Sequence, residues 1–326
     1  MMSLLSFVVN LLGLVIFPGF VFVIGLAFVY EWLDRKFYAR FQNRIGPLYT
    51  GRSGFLQPFA DFVKLLAKED ITPQAVDSLL FSRMPILALT TMLVGATLLP
   101  IVSNHGILSF SGDLIIAVAL MTIYCIIVFL AGISSTNRFS SVGAERAVSQ
   151  LLGYEIPMTL AIAGVALNAG SIKIADIVQA QAQTHWYIFG PQALGFGIFL
   201  IAVEAELERI PFDIPEAEQE IVAGWLTEFT GRKLALFRLS RDVELLFVSG
   251  LVATLYLGGP TGPVVPGLEI VLYPVYFIVK TAVVLFILSS IRTIFARIRI
   301  DQMVNFSWKY LVPLSLFQLL LVRIMI

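Results

Sequence analysis

Residues 195–220 read GFGIFLIAVEAELERIPFDIPEAEQE. An apolar run, GFGIFLIAV, passes directly into seven carboxylates: Glu204, Glu206, Glu208, Asp213, Glu216, Glu218 and Glu220, with Arg209 the only base among them. Such a junction is informative because of the chain around it. The 326 residues are 58% hydrophobic and only 13% charged, about half the charge of a typical soluble domain. Eight apolar runs fall near the roughly 20 residues needed to cross a bilayer, at about 4–30, 81–102, 112–133, 148–169, 187–206, 241–258, 269–290 and 308–325. The expected fold is an all-α integral membrane protein, a single membrane domain over 1–326 with about eight transmembrane helices.

Composition also excludes function classes. Net charge is zero, so no global field draws the chain to nucleic acid. Cys125 is the only cysteine, and a lone thiol neither closes an intrachain disulfide nor ligates an iron–sulfur cluster. The two histidines, His105 and His185, fall in expected loops rather than at membrane depth. The chain is therefore expected to carry no redox centre of its own. Its first 20 residues lack the basic start of a signal peptide and stay apolar to Val29, so they read as a retained first helix.

The basic residues set the topology. Nineteen of the 22 fall in, or at the edges of, the odd-numbered loops; the even loops hold only Lys173. By the positive-inside bias the odd loops are cytoplasmic and both termini lie outside. The odd loops are also the long ones, so the working face is expected on that side. The membrane is a cell inner or plasma membrane, or the inner membrane of a mitochondrion or plastid-type organelle.

Acids at the end of a transmembrane helix are costly unless paired, protonated or hydrated, and crowded carboxylates hold protons near neutral pH. Capping competes as an explanation. Asp213 followed by Glu216, with Pro215 between them, fits a capping box. Capping leaves out Glu204 and Glu206, which end the preceding helix where its dipole disfavours them. Glu155, in QLLGYEIPMT, lies about two turns into the fourth run, and Lys280, in YFIVKTAVV, lies inside the seventh. Together Glu155, Glu206 and Lys280 are expected to form a polar line through the bilayer. In the first cytoplasmic loop Phe55, Leu56, Phe59, Phe62, Val63 and Leu66 recur at helical spacing, with Gln57, Asp61 and Lys64 mostly on other faces. This predicts an amphipathic helix lying at the interface or against a partner.

Several stretches together carry a resemblance. Arg35-Lys36, Gln42-x-Arg44-x-Gly46-Pro47 and Gln57-Pro58-x-x-Asp61-x-x-Lys64 are similar to the first loop of the heel subunit of respiratory complex I, the NADH dehydrogenase subunit 1 family. AERAVSQLLGYE (144–155), AELERIPFDIPEAEQEIVAGWLTEF (205–229), and the closing residues Arg292, Arg299, Asp301, Gln302, Trp308 and Lys309 resemble its other motifs, so the similarity covers about 31–313. The resemblance implies eight transmembrane helices, no cofactor in this subunit, and a place between the redox arm and the ion-pumping arm. Expected partners are iron–sulfur and hydrogenase-like peripheral subunits on the cytoplasmic side, with antiporter-like and small membrane subunits in the bilayer. By motif, ion coupling would fall to Glu155, Glu206, Asp213, Glu216, Glu218, Glu220 and Glu228, to which position adds Glu204 and Lys280. Arg35, Arg44, Gln57, Asp61 and Arg209 would line or support a quinone side or an interface.

The chain departs from that family's pattern at named positions. Asp34 stands where glutamate is usual, Glu145 where an apolar residue is common, and Ala296 where proline is frequent. GRKLALFRLSRDVELLF (231–247) is more charged than in quinone-reducing members and resembles the related subunit of membrane-bound hydrogenases and ferredoxin-linked enzymes. Two versions of a coupling subunit therefore stand, quinone-reducing and hydrogenase-type. Beside them stand an independent ion antiporter and a purely structural anchor, the last of which leaves Glu155 unexplained.

Overall fold

A computed structural model of the chain describes residues 12–263 and 267–325. Among these residues all regular structure is helical. The principal helices are α1 (Phe20–Phe41), α2 (Gln57–Ala67), α3 (Ser78–Thr97), α4 (Asp113–Ser134), α5 (Arg138–Ala169), α6 (Ile174–Gln183), α7 (Ala193–Glu206), α8 (Gly231–Tyr256), α9 (Glu269–Ile294), α10 (Ile300–Phe306) and α11 (Val312–Met325). Residues 4–11 of the first expected span lie outside the described residues.

Local chemistry explains the helix ends. Asp77 caps α3, its carboxylate accepting from the amides of Leu79 and Leu80. Asn137 does the same for α5 through the amide of Phe139. Gly170 ends α5 with φ at +67°, a left-handed position that suits glycine. Pro58 lies in the first turn of α2, where its missing N–H is no loss.

Six helices are long and apolar enough to cross a membrane: Leu12–Phe41, Ser78–Thr97, Asp113–Ser134, Arg138–Ala169, Glu269–Ile294 and the continuous Ile300–Met325. Large apolar side chains such as Ile86, Ile115, Ile126, Leu152, Val279 and Leu320 face outward. In water such a surface is a liability; in a bilayer it is the contact with lipid.

The other two expected spans are the helices α7 and α8, and both sit in the interior. At 14 residues, α7 extends about 21 Å, short of the roughly 30 Å apolar thickness. α8 has 26 residues, and from Val243 to Tyr256 every one of them is buried. It packs on α1, α2, α3, α6, α7 and α9, which makes it the central pillar. A helix apolar on all sides in its second half has that place in a bundle. Around α5 gather α4, α7, α10 and α11. The amphipathic helix of the first loop is present as α2. Its Phe62 packs on Phe28, with ring centroids 5.7 Å apart. Phe59, Val63 and Leu66 stay largely exposed, the pattern of a helix at an interface.

Close packing of α5 on the segment after α7 tests this arrangement. A Cβ on Gly143 would lie 2.7 Å from the Trp225 amide nitrogen and 2.8 Å from the Pro215 carbonyl oxygen. Both are backbone atoms that cannot swing aside. Gly143→Val is expected to destabilise the chain by about 1–3 kcal/mol and to speed proteolytic cleavage within 207–230. Gly25→Ala meets nothing within 4 Å and serves as the control, with an unchanged melting temperature.

Candidate functional site

After Glu206 the chain leaves helical geometry. Residues 207–217 contain turns but no helix; a single turn covers Glu218–Ile221, a 3-10 turn covers Gly224–Leu226, and α8 begins at Gly231. Pro211 and Pro215 each remove an amide donor and disfavour helix in the residue before them. The capping box expected at Asp213 and Glu216 does not form. The helical turn starts later, after Ala217, and has no side-chain cap. Instead Asp213 pairs with Arg297 at 3.1 Å and Glu216 with Arg241 at 2.5 Å. In each case an arginine from another part of the chain pairs with the carboxylate, and an ion pair competes well against a local amide.

These pairs are part of a larger set. Arg241 also meets Glu208 at 2.8 Å, and the Trp225 indole donates to the same carboxylate oxygen at 3.2 Å. Arg209 and Arg292 donate to the two oxygens of Asp34 at 3.1 and 3.0 Å, and the Ser289 hydroxyl adds a third bond at 2.5 Å. Arg35 bridges Glu31 and Asp61, both at 2.6 Å, and Gln57 donates to Asp61 at 2.8 Å. Arg146 holds Glu220 at 2.6 Å.

Glu31, Arg35, Asp61, Glu208, Arg209 and Arg241 are among those that line a cavity of about 810 Å³ between the ends of α1 and α9, α2, the acidic segment and the first half of α8. Six arginines and eight carboxylates contribute to its walls, interspersed with apolar residues such as Phe62, Leu65 and Phe295. All of these wall elements lie on the odd-loop side. Mixed charge at this density gives the cavity, a vestibule, a lining that can hydrogen-bond water and stabilise ions. Burial pushes the Glu208 carboxyl up to about 7, with Arg241 pulling against it and Glu216 adding to it. Asp213 is likewise raised by burial, against Arg297, whereas the Arg146 hydrogen bond lowers exposed Glu220.

Behind the vestibule lies a second, much smaller space. Tyr124, Cys125, Gln150, Tyr154, Ala205, Glu206 and Glu208 line a cavity of about 10 Å³, near the minimum for one water molecule. Gln150 Nε2 donates to the carbonyls of Ala205 and Phe212 at 2.7 and 2.9 Å, which satisfies the backbone where α7 ends. Both carboxylate oxygens of Glu204 and of Glu206 are sealed from solvent without a hydrogen-bond partner among the described residues. Glu206 faces Tyr154 across the small cavity. The next residue, Glu155, accepts from the Thr122 hydroxyl at 2.7 Å. It opens onto an apolar groove of about 890 Å³ between α4 and α5.

The sequence-selected residues thus fall into three groups. Arg35, Asp61, Arg209, Asp213, Glu216 and Glu218 line the vestibule. Glu155 and Glu206 share the α5–α7 region through Tyr154, and Glu204 is sealed one residue from it. The rest lie elsewhere. Glu228 accepts from Asn137 Nδ2 at 2.5 Å at the start of α5, Glu220 is held on the rim, and Arg44 stacks over the Tyr38 ring. Gln57 supports Asp61 from behind. Lys280 does not join Glu206. Its ammonium donates to the carbonyls of Leu257 and Thr261, both at 2.7 Å, beside the Trp186 ring. There it closes the C-terminal end of α8, where a cation is favoured.

The structure adds Asp34, Glu208, Arg238, Arg241, Asp242, Glu244 and Arg292, residues to which the sequence reading assigned no role in the site. The signal for the α8 group was its charges at i, i+3 and i+4 spacing, Arg238, Arg241, Asp242 and Glu244, in a helix whose other half is apolar.

A family model described as NADH dehydrogenase matches residues 13–323. This chain belongs to the NADH dehydrogenase family. Its relatives include proteins named as subunits of NADH-quinone oxidoreductase. Those of two strains of Dehalococcoides mccartyi are 39% and 40% identical over 312 residues, covering 95% of this chain and 85% of each relative. That of Brevibacillus brevis is 38% identical over 304 residues, covering 93% of this chain and 90% of the relative. The match takes in the whole vestibule and both flanking helices of the acidic segment.

Two expectations follow for this NADH dehydrogenase family member. Asp34→Asn leaves Arg209 and Arg292 facing a neutral amide, and breaking a buried ion pair costs about 3–5 kcal/mol; thermal unfolding of the purified membrane complex reads that loss. Glu208 is protonated in the folded site well above its ordinary value of 4.5. The stabilisation from its proton is complete below that value and is lost as pH rises toward about 7. Infrared pH titration should show a protonated-carboxyl band that fades with a midpoint of about 7 and is missing in Glu208→Gln.

Proposed function

We propose that this chain is a membrane subunit of a complex I-type, redox-driven ion pump, carrying no cofactor and linking a peripheral electron-transfer arm to ion translocation. One observation supports this reading above the others. Glu206 is a sealed, unpaired carboxylate, placed between a charged vestibule on the odd-loop side and Glu155, midway along α5. Unpaired acids at such depth are expensive and serve proton or ion relays where they occur. In the proposed arrangement, chemistry in the peripheral arm changes the charge balance of the vestibule. The acids behind it respond by taking up or releasing ions. Iron–sulfur subunits would dock over the vestibule on the cytoplasmic side. Antiporter-like and small membrane subunits would cover apolar faces of the bundle, and all eight apolar runs would cross the bilayer with both termini outside, the fifth by α7 together with the non-helical residues 187–192 before it.

A quinone headgroup entering the vestibule is the version that the relatives' name favours. The second reading is a hydrogenase-type complex without quinone. It draws on Arg238, Arg241, Asp242 and Glu244, which place four charges on the vestibule wall from α8 alone, a poor lining for an apolar ring. Competition by quinone analogues separates the two, because only the first version loses electron transfer. The coupling reading itself is tested by Glu206→Gln. In inverted membrane vesicles, coupled ion transport is expected to fall by at least tenfold while the complex still assembles. Full pumping by the assembled variant would count against it, as would ion exchange by the isolated chain in liposomes.

A further inference from the structure

Glu244 is one of the most completely enclosed acids of the chain, 3% exposed and on α8 where that helix turns from charged to apolar. Its Oε1 has no hydrogen-bond partner. The nearest cation on its own helix, Arg241, is engaged with Glu208 and Glu216 instead. No arginine or lysine pairs with Glu244 among the described residues. It nevertheless contributes to the vestibule wall. On its other side stands the hydroxyl of Tyr124, which also approaches Ser240, one turn back on α8, at 3.4 Å. Tyr124 is buried, and its ring forms part of the wall of the small cavity that holds Glu206 and Tyr154. Tyr124 of α4 therefore stands between Glu244, on the vestibule wall, and the small cavity.

Glu208 lines both cavities as well, but one of its carboxylate oxygens is anchored. Arg241 and Trp225 both hold Glu208 Oε2. Glu244 has no comparable anchor. An unpaired, enclosed carboxylate is costly relative to an apolar residue, and this one lies on the vestibule wall with Tyr124 on the side of the small cavity.

We propose that Glu244 is a further ion-coupling carboxylate, which relays protons between the vestibule and Glu206 through the Tyr124 hydroxyl. This rests on the coupling function given above and names a route within it. The step balances without any co-reactant. Glu244 gives its proton to the Tyr124 oxygen, and the same hydroxyl passes its original proton to the Glu206 side. Tyr124 is neutral before and after, Glu244 is left as carboxylate, and Glu206 as carboxylic acid. Glu244 is recharged from water in the vestibule.

The test uses the intact complex in inverted membrane vesicles, with NADH and reduced ferredoxin supplied in turn as donors and a pH-gradient dye as the probe. Glu244→Gln and Tyr124→Phe are each expected to lower protons moved per electron at least fivefold. The double variant is expected to do no worse than either single one, because both interrupt the same path. Glu244→Asp, which keeps the carboxyl, should restore at least half of the ratio, a recovery that a packing role would not predict. Should Glu244→Gln fail to assemble, Tyr124→Phe carries the test alone, since it removes one hydroxyl. A wild-type ratio in either assembled variant overturns the proposal, and so does an additive loss in the double one. Glu206→Gln in the same assay separates the two levels. If it abolishes transport while Glu244→Gln does not, only the Glu244 route falls. If it too leaves transport intact, the coupling function falls with it.

Discussion

The salt-bridge cluster at Asp34 holds the irregular segment to the bundle. Asp34 is 1% exposed and accepts from Arg209, Arg292 and Ser289. These groups come from α1, from the residues just after α7, and from α9. Three pieces of chain that share no secondary structure are fixed at one point. Desolvating a carboxylate with no partner costs several kcal/mol, and two guanidinium groups, one on each oxygen, offset much of that. Without the cluster, residues 207–217 would have only scattered backbone bonds, such as Ile298 N–H to the Pro211 carbonyl, to hold their course. The vestibule wall would then have no fixed shape.

From that anchor the acids divide into two populations with different consequences. Asp34, Asp61, Glu208, Asp213, Glu216 and Glu220 each meet an arginine. Each is held in place by a fixed partner, and together they order the walls of the vestibule. Glu204, Glu206 and Glu244 are buried and meet none among the described residues. Removing a paired acid should cost folding stability, because an arginine is orphaned. Removing an unpaired one should cost little stability or even improve it. Its retention argues for a role outside folding. The same contrast separates Lys280 from the ion route: its ammonium is satisfied by two carbonyls, and it reads as a clasp on the end of α8.

The parts of this structure visible in the sequence were those set by local or periodic chemistry. Apolar runs of membrane length gave the helices, and six of the described ones meet that length. The Phe59–Val63–Leu66 spacing gave α2 and its exposed apolar face. The junction at Glu204 marked where the acids begin. What stayed hidden was pairing across the chain. Asp34 and Arg209 are 175 positions apart, and Asp34 and Arg292 are 258 apart. No local pattern signals such a match. For the same reason Asp213 and Glu216 read as a capping box, since their true partners, Arg297 and Arg241, lie on other elements. The charges of α8 were legible as composition, yet their position on the vestibule wall depends on which face of that helix meets α1 and α2.

The shortness of α7 ties these observations together. A 14-residue helix ends about 9 Å before it could span the apolar layer, so its last turn and the chain beyond it lie inside the protein. Backbone groups there cannot turn to lipid or water. Gln150, from the long helix α5, supplies the missing donor to Ala205 and Phe212. That places α5 against the end of α7 and brings Tyr154 to Glu206. A full-length helix would have carried its terminal acids into the aqueous interface, where they would be hydrated and ordinary. The early end, together with the two prolines that prevent the helix from resuming, keeps Glu204 and Glu206 at depth and leaves room beside them for a charged, wet space. The position of the carboxylates therefore follows from where one helix stops, and that stop is written in the stretch from Gly195 to Glu220.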